Sequence, residues 1–442
     1  MTIPDHNFKL IIQEHHMRIT IFFLIYFTIA MGSNPLNCSE AIARALKNNP
    51  QHQRIKFDKD IAGYQKWQSF SNRLPSLNAG YTKIRNNTEI VFPIDSTTTA
   101  TIQPLIMGQE SIDITWPLFT GGTLQSAQKI ASKSIEISGL MVTESREYTK
   151  LETIRAYYNL IKMDGILSIS EAARDLVEEN AKMVNRMFDL GLLQKKDVLR
   201  AQVSLTEISQ QIQQAKQGVK MSQISLNMIM GEPLGAGFDL DDRIPEIHLE
   251  QTIDELMDHA LQNRSALQSA RIGTDVANLG VKATRGSLYP SVAGIFHWQR
   301  DSEASLLAGE NDSWRAMVNV SFDLPLGMSN QANHQIAKAQ YRQSQYSLIE
   351  AENKIRMEAE ANYLQYQLMK SSLTLAAQQV SAATENYEAV VSGFELGDSN
   401  QIELIDARNI LYNARVNLVN TQIDHAISYY QLMVSGGYSI QF

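Results

Sequence analysis

The side chains that could carry out chemistry are few in this sequence and are not grouped as a catalytic site requires. Glu403 and Asp406 lie three residues apart and therefore share one face of a predicted helix, but no titratable group has an acid–base partner. No glycine-rich phosphate-binding loop follows a strand. Five histidines are scattered without metal-ligand spacing: His248, His259, His297, His334 and His425. We therefore expect neither an enzyme nor a bound cofactor or metal.

Bulk composition narrows the class of protein further. Hydrophobic residues make up 44% of the 442 residues, charged residues make up 19%, and the formal net charge is -8. The chain is too apolar to be disordered and too acidic to suggest a nucleic-acid partner. The one cysteine, Cys38, excludes an internal disulfide framework. Because Pro35-Leu36-Asn37 is a poor lipobox, we expect Cys38 to be buried or at a helix start and not lipid-anchored.

Residues 1–33 have the organisation of a secretory signal. Met17 and the basic Arg18 precede an apolar run over 19–30, and Ala30-Met31-Gly32 resembles a small-residue cleavage site. Because residues 1–16 are polar and charged, we expect translation to start at Met17. The alternative is a short N-terminal membrane anchor, although the apolar run is too short to span a bilayer as a helix. No other segment has an apolar run long enough for a membrane helix, so any membrane contact must use strands.

The sequence contains one pattern twice. Ala45-Leu46-x-Asn48 recurs as Ala260-Leu261-x-Asn263 at an offset of 215 residues, and Phe188-Asp189-Leu190-Gly191 recurs as Phe394-Glu395-Leu396-Gly397 at an offset of 206. Two copies of one structural unit are therefore expected. The predicted boundaries are a signal over 1–33, a first repeat over 34–231, a linker over 232–250 rich in Gly, Pro and Asp, a second repeat over 251–437 and a tail over 438–442.

Each repeat is predicted to begin with a helix and two strands. In the first repeat a helix is expected over 38–72, with Ser39 as N-cap, ending near Leu74-Pro75. Strand patterns follow at 78–84 and 112–116, with a polar loop between them. The second repeat has strand patterns at 291–298 and 316–322 around a polar loop. Four strands cannot close a useful barrel alone, whereas three chains with four strands each could.

Long helices are the strongest local prediction. From Val198 to Ile229, apolar and small residues recur at alternating spacings of three and four, and the same spacing recurs from Leu404 to Leu432. The last helix carries a second seam from Ile402 to Met433, which predicts packing neighbours on both sides. Residues 120–191 would span roughly 100 Å as one continuous helix. The fold class is therefore mainly α with a small β part.

The order of these motifs resembles the TolC family of outer-membrane efflux proteins. In the first repeat the resemblance rests on Leu74-Pro75-Ser76, Trp116-Pro117-Leu118-Phe119-Thr120-Gly121-Gly122 and Leu190-Gly191-Leu192. In the second it rests on Pro290-Ser291, Pro325-Leu326 and Glu403-Leu404-Ile405-Asp406-Ala407. It covers about residues 36–437. No single motif is specific, but their duplicated order is.

The resemblance implies a homotrimer whose chains each give four strands to a twelve-stranded outer-membrane β-barrel and long helical hairpins to a periplasmic α-barrel. Outer-membrane lipid, a periplasmic adaptor (membrane fusion protein) and an inner-membrane pump are the implied partners. The duct itself would be passive, serving efflux or type I secretion, and the loops 86–109 and 300–313 would face outside the cell. The sequence does not indicate the exported substrate.

The resemblance also assigns roles to residues near the two glycine turns. Asp197, Glu403 and Asp406 correspond to the acidic residues that constrict the periplasmic end of the tunnel, where a three-fold axis would turn each into a ring of three carboxylates. Gly191, Leu192 and Gly397 mark the turns where adaptor hairpins are expected to dock.

Two features leave alternatives open. Family members carry a basic residue in the second turn, whereas this turn reads Asp398-Ser399-Asn400, and Arg200 stands where the second repeat has Asp406. A contact between Arg200 and Asp406 is therefore one possibility, and the interaction that holds the periplasmic end of the tunnel closed is an open question. The tail 438–442 alternates like a closing barrel strand, but in this family the C-terminus follows the last helix.

A secreted structural or adhesive coiled-coil filament is the alternative function. A filament would need neither duplicated strand pairs nor long polar loops beside them, so the channel is favoured.

Overall fold

A computed structural model describes residues 35–95, 97, 99–244, 247–301, 312–323 and 325–440. The signal-peptide prediction lies outside these residues, as do most of the predicted outer loop 300–313 and the last two residues of the tail. Cys38 is buried at the first position of a helix, which confirms that part of the prediction.

The fold is dominated by helices of unusual length. The helices are α1 (Cys38–Asn48), α2 (Pro50–Ser71), α3 (Thr123–Asp189), α4 (Lys195–Met230), α5 (Ile253–Asn263), α6 (Ser265–Gly286), α7 (Ser329–Leu396) and α8 (Gln401–Ser435). Helices α3 and α7 have 67 and 68 residues, so each is roughly 100 Å long. The continuous helix predicted over 120–191 is confirmed as α3. Among the described residues, no helix is long and apolar enough to cross a membrane.

The helix predicted over 38–72 is two helices, so that prediction is wrong in detail. Asn49 takes φ -58° and ψ 120° between α1 and α2, because the following Pro50 disfavours the α region in the residue before it. The Asn49 side chain accepts a hydrogen bond from the backbone N–H of His52 and so caps α2. The cap of α1 is Asn37 and not Ser39, since Asn37 Oδ1 accepts from the backbone N–H of Glu40 at 2.8 Å.

Four strands form one antiparallel sheet, as the sequence predicted. The strands described are β1 (Ser76–Arg85), β2 (Ile90–Pro93), β3 (Thr99–Gln103), β4 (Ile106–Phe119), β5 (Ser291–Asp301) and β6 (Asp312–Ser321). The sheet order is β1-β4-β5-β6, so the two strands of each repeat lie side by side. Strands β2 and β3 pair separately as a hairpin. The segment 86–109 is therefore not only the polar loop that the sequence suggested.

The two faces of this sheet differ in chemistry. Register and alternation place one set of side chains on each face. The apolar sheet face carries Leu77, Tyr81, Ile112, Ile114, Trp116, Phe296, Trp298, Trp314, Val318 and Val320, and the charged residues Lys83, Glu110, Arg300 and Asp312 lie on the same face at the end where β5 leads to β6. The polar sheet face carries Asn78, Thr82, Gln109, Ser111, Asp113, His297, Gln299, Asp301, Ser313 and Arg315, together with the apolar residues Ile84, Met107, Ile295 and Met317.

The largest core lies where α1 meets the middle of α3 and the ends of α4 and α8. Tyr157 and Tyr158 are each 1% exposed, and the ring of Tyr158 stacks on that of Tyr430 with centroids 6.2 Å apart. The Tyr157 hydroxyl lies 2.8 Å from the Leu36 carbonyl oxygen and 2.6 Å from the Asp241 carbonyl oxygen. This core therefore holds both the segment before α1 and the stretch after α4 against the long helices.

The predicted helical seams are the packed faces of α4 and α8. The buried seam residues include Val198, Ala201, Ile208, Ile212 and Ala215 on α4, and Leu404, Ala407, Leu411 and Ala414 on α8. Small clusters along the hairpins, such as Val184 with Leu404, join α3 and α4 to the second repeat. The seams therefore pack the two helical hairpins side by side.

The tail does not form a closing strand in its described part, residues 438–440. Ile440 is buried in the main core. Its carbonyl oxygen accepts a hydrogen bond from Lys150 Nζ at 2.9 Å, and its N–H donates to Glu147. Tyr438 stacks on the ring of His259 at 3.8 Å. These contacts hold the tail against α3 and α5, so the closing-strand interpretation is wrong for these residues.

Candidate functional site: the paired turns and the two-faced sheet

Glycine makes both tight turns at the ends of the long helices. Gly191 has φ +75° and Gly397 has φ +85°, a left-handed conformation that residues with a Cβ rarely adopt. A Cβ at either position would meet no atom within 4 Å, so backbone conformation and not crowding requires the glycine. The neighbouring Leu192 is 70% exposed and Leu396 is 79% exposed. Both turns therefore present leucines to their surroundings.

Two of the three predicted constriction acids cap the helices that follow these turns. Asp197 Oδ2 accepts a hydrogen bond from the Gln194 N–H at 3.1 Å, at the start of α4. Glu403 Oε2 accepts from the Asn400 N–H at 3.1 Å, at the start of α8. The carboxylates are equivalent at the 206-residue offset and make the same capping box. Sequence reasoning did not assign them this role.

Asp406 differs from the other two acids. It is exposed on α8, one turn beyond Glu403, and lies outside the capping box. Asp197, by contrast, is buried, and the ion pair of Arg200 is with Asp197 at 3.7 Å, on its own helix. Arg200 therefore pairs with Asp197, and the Arg200–Asp406 contact left open above is not the pairing that the structure has.

One neutral side chain links the two repeats at the level of these acids. Gln401 Nε2 donates a hydrogen bond to the Asp197 backbone oxygen at 2.8 Å, so it connects the first turn of α8 to the first turn of α4. Gln401 is 5% exposed. Sequence reasoning missed it because an uncharged residue in a turn gives no signal of a partner 204 residues away.

Arg408 is a second group that sequence reasoning missed. It lies two residues beyond Asp406, is 8% exposed, and donates to Asn409 Oδ1 at 2.8 Å. Burial lowers the pKa of its guanidinium. A buried cation therefore follows the exposed Asp406 carboxylate along α8.

The sheet provides the second functional surface. On its polar face, His297 Nδ1 lies 2.6 Å from Asp113 Oδ1, and Gln299 Nε2 lies 3.2 Å from Asp301 Oδ1. On its apolar face, the rings of Phe296 and Trp314 stack with centroids 6.2 Å apart, and Trp314 is 70% exposed. One face is therefore suited to water and the other to a hydrocarbon environment.

Two further observations concern metal binding and thiol chemistry in the described residues. In that part of the chain, no three His, Cys, Asp or Glu side chains are grouped so that they could hold a metal ion. Burial raises the pKa of the Cys38 thiol to about 12, which leaves it protonated and unreactive at neutral pH.

A sheet with one apolar and one polar face, joined to helices of roughly 100 Å, defines the subunit of a membrane channel with a long helical extension. The family described as Outer membrane efflux protein matches residues 41–232 and again 256–437. The chain belongs to this family.

Curated relatives match over nearly the whole chain. Outer membrane protein TolC of Escherichia coli (strain K12) is 21% identical, with 89% of this chain and 80% of TolC covered. Outer membrane efflux protein BepC of Brucella suis is 20% identical, with 95% of this chain and 92% of BepC covered. The protein is thus an outer-membrane efflux channel component, located in the outer membrane and extending into the periplasm.

Solved structures have the same fold. The CmeC outer membrane channel of Campylobacter jejuni superposes with a TM-score of 0.78 at 16% identity, with 91% of this chain and 86% of CmeC covered. The MtrE outer membrane channel of Neisseria gonorrhoeae superposes with a TM-score of 0.75 at 16% identity, with 91% of this chain and 89% of MtrE covered. Since the matching family and the relative BepC are outer-membrane efflux proteins, the comparisons favour the channel over the filament alternative.

Proposed function

We propose that three copies of this chain form a passive trans-periplasmic duct, with twelve strands in the outer membrane and the long helices as an α-barrel. The observation that carries the proposal is the four-stranded sheet, whose edge strands β1 and β6 have no partner outside the sheet among the described residues. Open edges expose unpaired backbone groups, which closure into a barrel satisfies. Three-fold closure would pair β6 of one copy with β1 of the next.

Exposed apolar stripes on the helices also support assembly. On α2, Phe57, Tyr64 and Trp67 are 65%, 70% and 69% exposed. On α7, Tyr346 and Met357 are 74% and 65% exposed. Soluble monomers rarely expose apolar surface at this density, so contact between neighbouring copies would remove these side chains from water. The apolar sheet face would contact lipid, and the polar sheet face would line the lumen.

We extend the proposal to the domain boundaries and the partners. The repeated element order and the doubled family match support two structural repeats over 34–231 and 251–437, joined by a linker over 232–250. The signal over 1–33 rests on its sequence pattern alone. A periplasmic adaptor and an inner-membrane pump would supply energy and cargo. One relative is named a cobalt-zinc-cadmium resistance protein, so metal ions join drugs and proteins as candidate cargo classes.

We propose that Asp406 forms the selective ring of the constriction, with Asp197 and Glu403 near it. Three exposed carboxylates around an axis attract cations and repel anions. Asp197 and Glu403 would contribute charge at the same level, but their carboxylates also hold the N-termini of α4 and α8. Their removal would therefore change both the electrostatic potential and the stability of the turns.

The experiment compares Asp406→Asn with Asp197→Asn in planar bilayers and in thermal unfolding. Asp406→Asn should reduce the cation-to-anion permeability ratio and leave the unfolding temperature unchanged. Asp197→Asn removes the charge but keeps an amide oxygen that can accept the Gln194 N–H, whereas Asp197→Ala removes the acceptor and should weaken the start of α4 by about 0.5–2 kcal/mol. Asp398→Asn is the control, since this exposed carboxylate lies in the turn itself. Unchanged selectivity in Asp406→Asn would contradict the ring.

A further inference from the structure

One row of side chains on the polar sheet face joins an acid, an imidazole and a base across three adjacent strands. Asp113 of β4 lies opposite His297 of β5, and His297 lies opposite Arg315 of β6. Asn78 of β1 continues the row beside Asp113, and Asp301 lies further along β5 on the same face. On the polar sheet face of the described strands, the titratable or charged side chains are those of Asp113, His297, Asp301 and Arg315. These four residues therefore set the charge of that face.

A chain of hydrogen bonds links His297 to two carboxylates. His297 Nδ1 lies 2.6 Å from Asp113 Oδ1, and His297 Nε2 lies 3.3 Å from Gln299 Oε1. The amide nitrogen of Gln299 donates to both carboxylate oxygens of Asp301, at 3.2 Å each. Gln109 Nε2 donates to Asp301 Oδ1 at 3.3 Å. Because an amide turned the other way would place its oxygen against the Asp301 carboxylate, these bonds direct the Gln299 oxygen towards the imidazole.

The donors and acceptors of this chain match only when it carries an extra proton. A neutral imidazole donates through one ring nitrogen and accepts through the other. The Asp113 carboxylate and the Gln299 amide oxygen are both acceptors, so both ring nitrogens of His297 must be donors. The chain is therefore complete when His297 is an imidazolium, and Nε2 faces a second acceptor when that proton is lost. Histidine is the side chain whose charge ordinarily changes between about pH 5 and pH 8.

This proton decides whether the charges of the polar sheet face cancel. When His297 is protonated, His297 and Arg315 balance the carboxylates of Asp113 and Asp301. When His297 is neutral, one negative charge per chain is left without a counter-charge on that face. Loss or gain of the proton therefore changes both the hydrogen bonds of the chain and the electrostatic potential above the polar sheet face.

We propose that the chain Asp113–His297–Gln299–Asp301 is a proton-dependent ion-selectivity site in the lumen of the β-barrel, separate from the acidic constriction at the far end of the long helices. The inference rests on the proposed function, because it takes the polar sheet face as the lumen wall and three copies as a closed ring. At low pH, three imidazolium rings neutralise this part of the wall and weaken its preference for cations. At high pH, three uncompensated carboxylates restore that preference.

The size of the effect follows from the width of the barrel. Twelve strands spaced about 4.8 Å apart place their inward side chains roughly 10 Å from the barrel axis. This distance is about one Debye length at roughly 0.1 M salt, so three added positive charges should lower the cation-to-anion permeability ratio about fourfold. At about 1 M salt the Debye length is about 3 Å, and the effect should vanish.

The test measures the reversal potential of the full-length channel in planar bilayers under a KCl gradient, from about pH 8 to about pH 5.5. This range lies above the usual titration of carboxylates, near pH 4, and so isolates histidine. The permeability ratio of the unmodified channel should fall about fourfold across the range at low salt, whereas His297→Gln should keep its high-pH value throughout. The matched control is His259→Gln, which alters a ring bonded to the Gly436 oxygen outside the sheet and should leave the pH dependence in place.

Two variants at Gln299 test the hydrogen-bond chain itself. Gln299→Leu removes the acceptor opposite His297 Nε2, so the midpoint of the selectivity change should move to lower pH. Gln299→Glu places a carboxylate there, so the midpoint should move to higher pH. A purely structural role of Gln299 would not produce shifts in opposite directions. Nitrogen NMR of the histidine-labelled channel, with the His297 signals identified by their loss in His297→Gln, should show both ring nitrogens protonated at the low end of the pH range.

Three results would overturn the proposal: a permeability ratio independent of pH, a pH dependence that His297→Gln retains, or a His297 ring that stays neutral throughout the range. The same measurements on Asp406→Asn place the effect along the duct. The pH dependence should persist in Asp406→Asn, and its loss there would assign it to the constriction and contradict a site in the barrel. A conducting channel without a pH response refutes the selectivity site alone, whereas a preparation without conductance refutes the proposed function.

Discussion

Adjacent glycines at the junction between the sheet and the helices offer a matched test of the packing. Gly121 and Gly122 link β4 to α3 and have φ +63° and +90°. A Cβ on Gly121 would lie 2.1 Å from the backbone oxygen of Gly286, at the end of α6, whereas a Cβ on Gly122 would meet nothing within 4 Å. The first position is therefore constrained by conformation and by contact, and the second by conformation alone.

The expected costs differ accordingly. Alanine in a left-handed conformation costs about 1–2 kcal/mol, and both Gly121→Ala and Gly122→Ala include this strain. Gly121→Ala must also push the end of α6 away from the start of α3, and overpacking of this kind costs about 1–3 kcal/mol more. The total is about 2–5 kcal/mol for Gly121→Ala against about 1–2 kcal/mol for Gly122→Ala.

The assay is thermal unfolding of the detergent-solubilised protein followed by circular dichroism, together with the yield of folded protein in the outer membrane. Gly121→Ala should unfold at a lower temperature than Gly122→Ala, or assemble in lower yield. Gly286→Ala should be destabilising by the contact cost alone, because its Cβ would lie 2.4 Å from Thr123 Oγ1 and 2.9 Å from the Gly121 backbone oxygen, without a left-handed φ. Equal behaviour of Gly121→Ala and Gly122→Ala would refute the close backbone contact between the two repeats.

Three further predictions concern buried groups. Lys150→Met should release the C-terminal tail and expose it to carboxypeptidase, because the Lys150 ammonium donates a hydrogen bond to the Ile440 oxygen. The control Lys133→Met breaks an exposed ion pair of the same helix and should leave the tail protected. Equal digestion of the two variants would contradict the tail contact. Cys38 should react with maleimide at pH 7.5 only in denaturant, because burial raises its thiol pKa to about 12; rapid labelling of the folded protein would contradict this. Burial lowers the pKa of His425, so the folded state binds a proton at this ring less readily than the unfolded state does. The free energy of unfolding should therefore fall as the pH drops below about 6.5. His425→Gln should flatten this pH dependence in unfolding measurements, and an unchanged pH profile would exclude His425 as its source.

Local patterns in the sequence predicted the long helices and the turns. The alternating three-and-four spacing from Val198 onward depends only on which face of a helix is buried, so it predicts a helix whichever element packs against that face. Gly191 and Gly397 predicted the turns, because few residues other than glycine adopt the left-handed conformation at a helix end. The four-stranded sheet followed from two strand patterns in each repeat.

The boundary between α1 and α2, the β2–β3 hairpin and the contact between the two turns were not predicted from the sequence. Pro50 is favourable at the first position of a helix, and it starts α2 instead of lying inside one longer helix. The β2–β3 hairpin was missed because a Thr-rich segment with Pro93 reads as a loop, although its backbone pairs regularly from Val91 to Pro93. The bond from Gln401 to Asp197 joins residues 204 apart in sequence, and only the packing of the two repeats brings them together.

The most direct test of the account is the native mass of the full-length product extracted from outer membranes in a mild detergent. Assembly by shared strands predicts a particle of three chains, because in the described part of the chain the sheet has two open edges and its four strands cannot close alone. A monomer without membrane association, or an open-ended polymer, would contradict the trimeric duct.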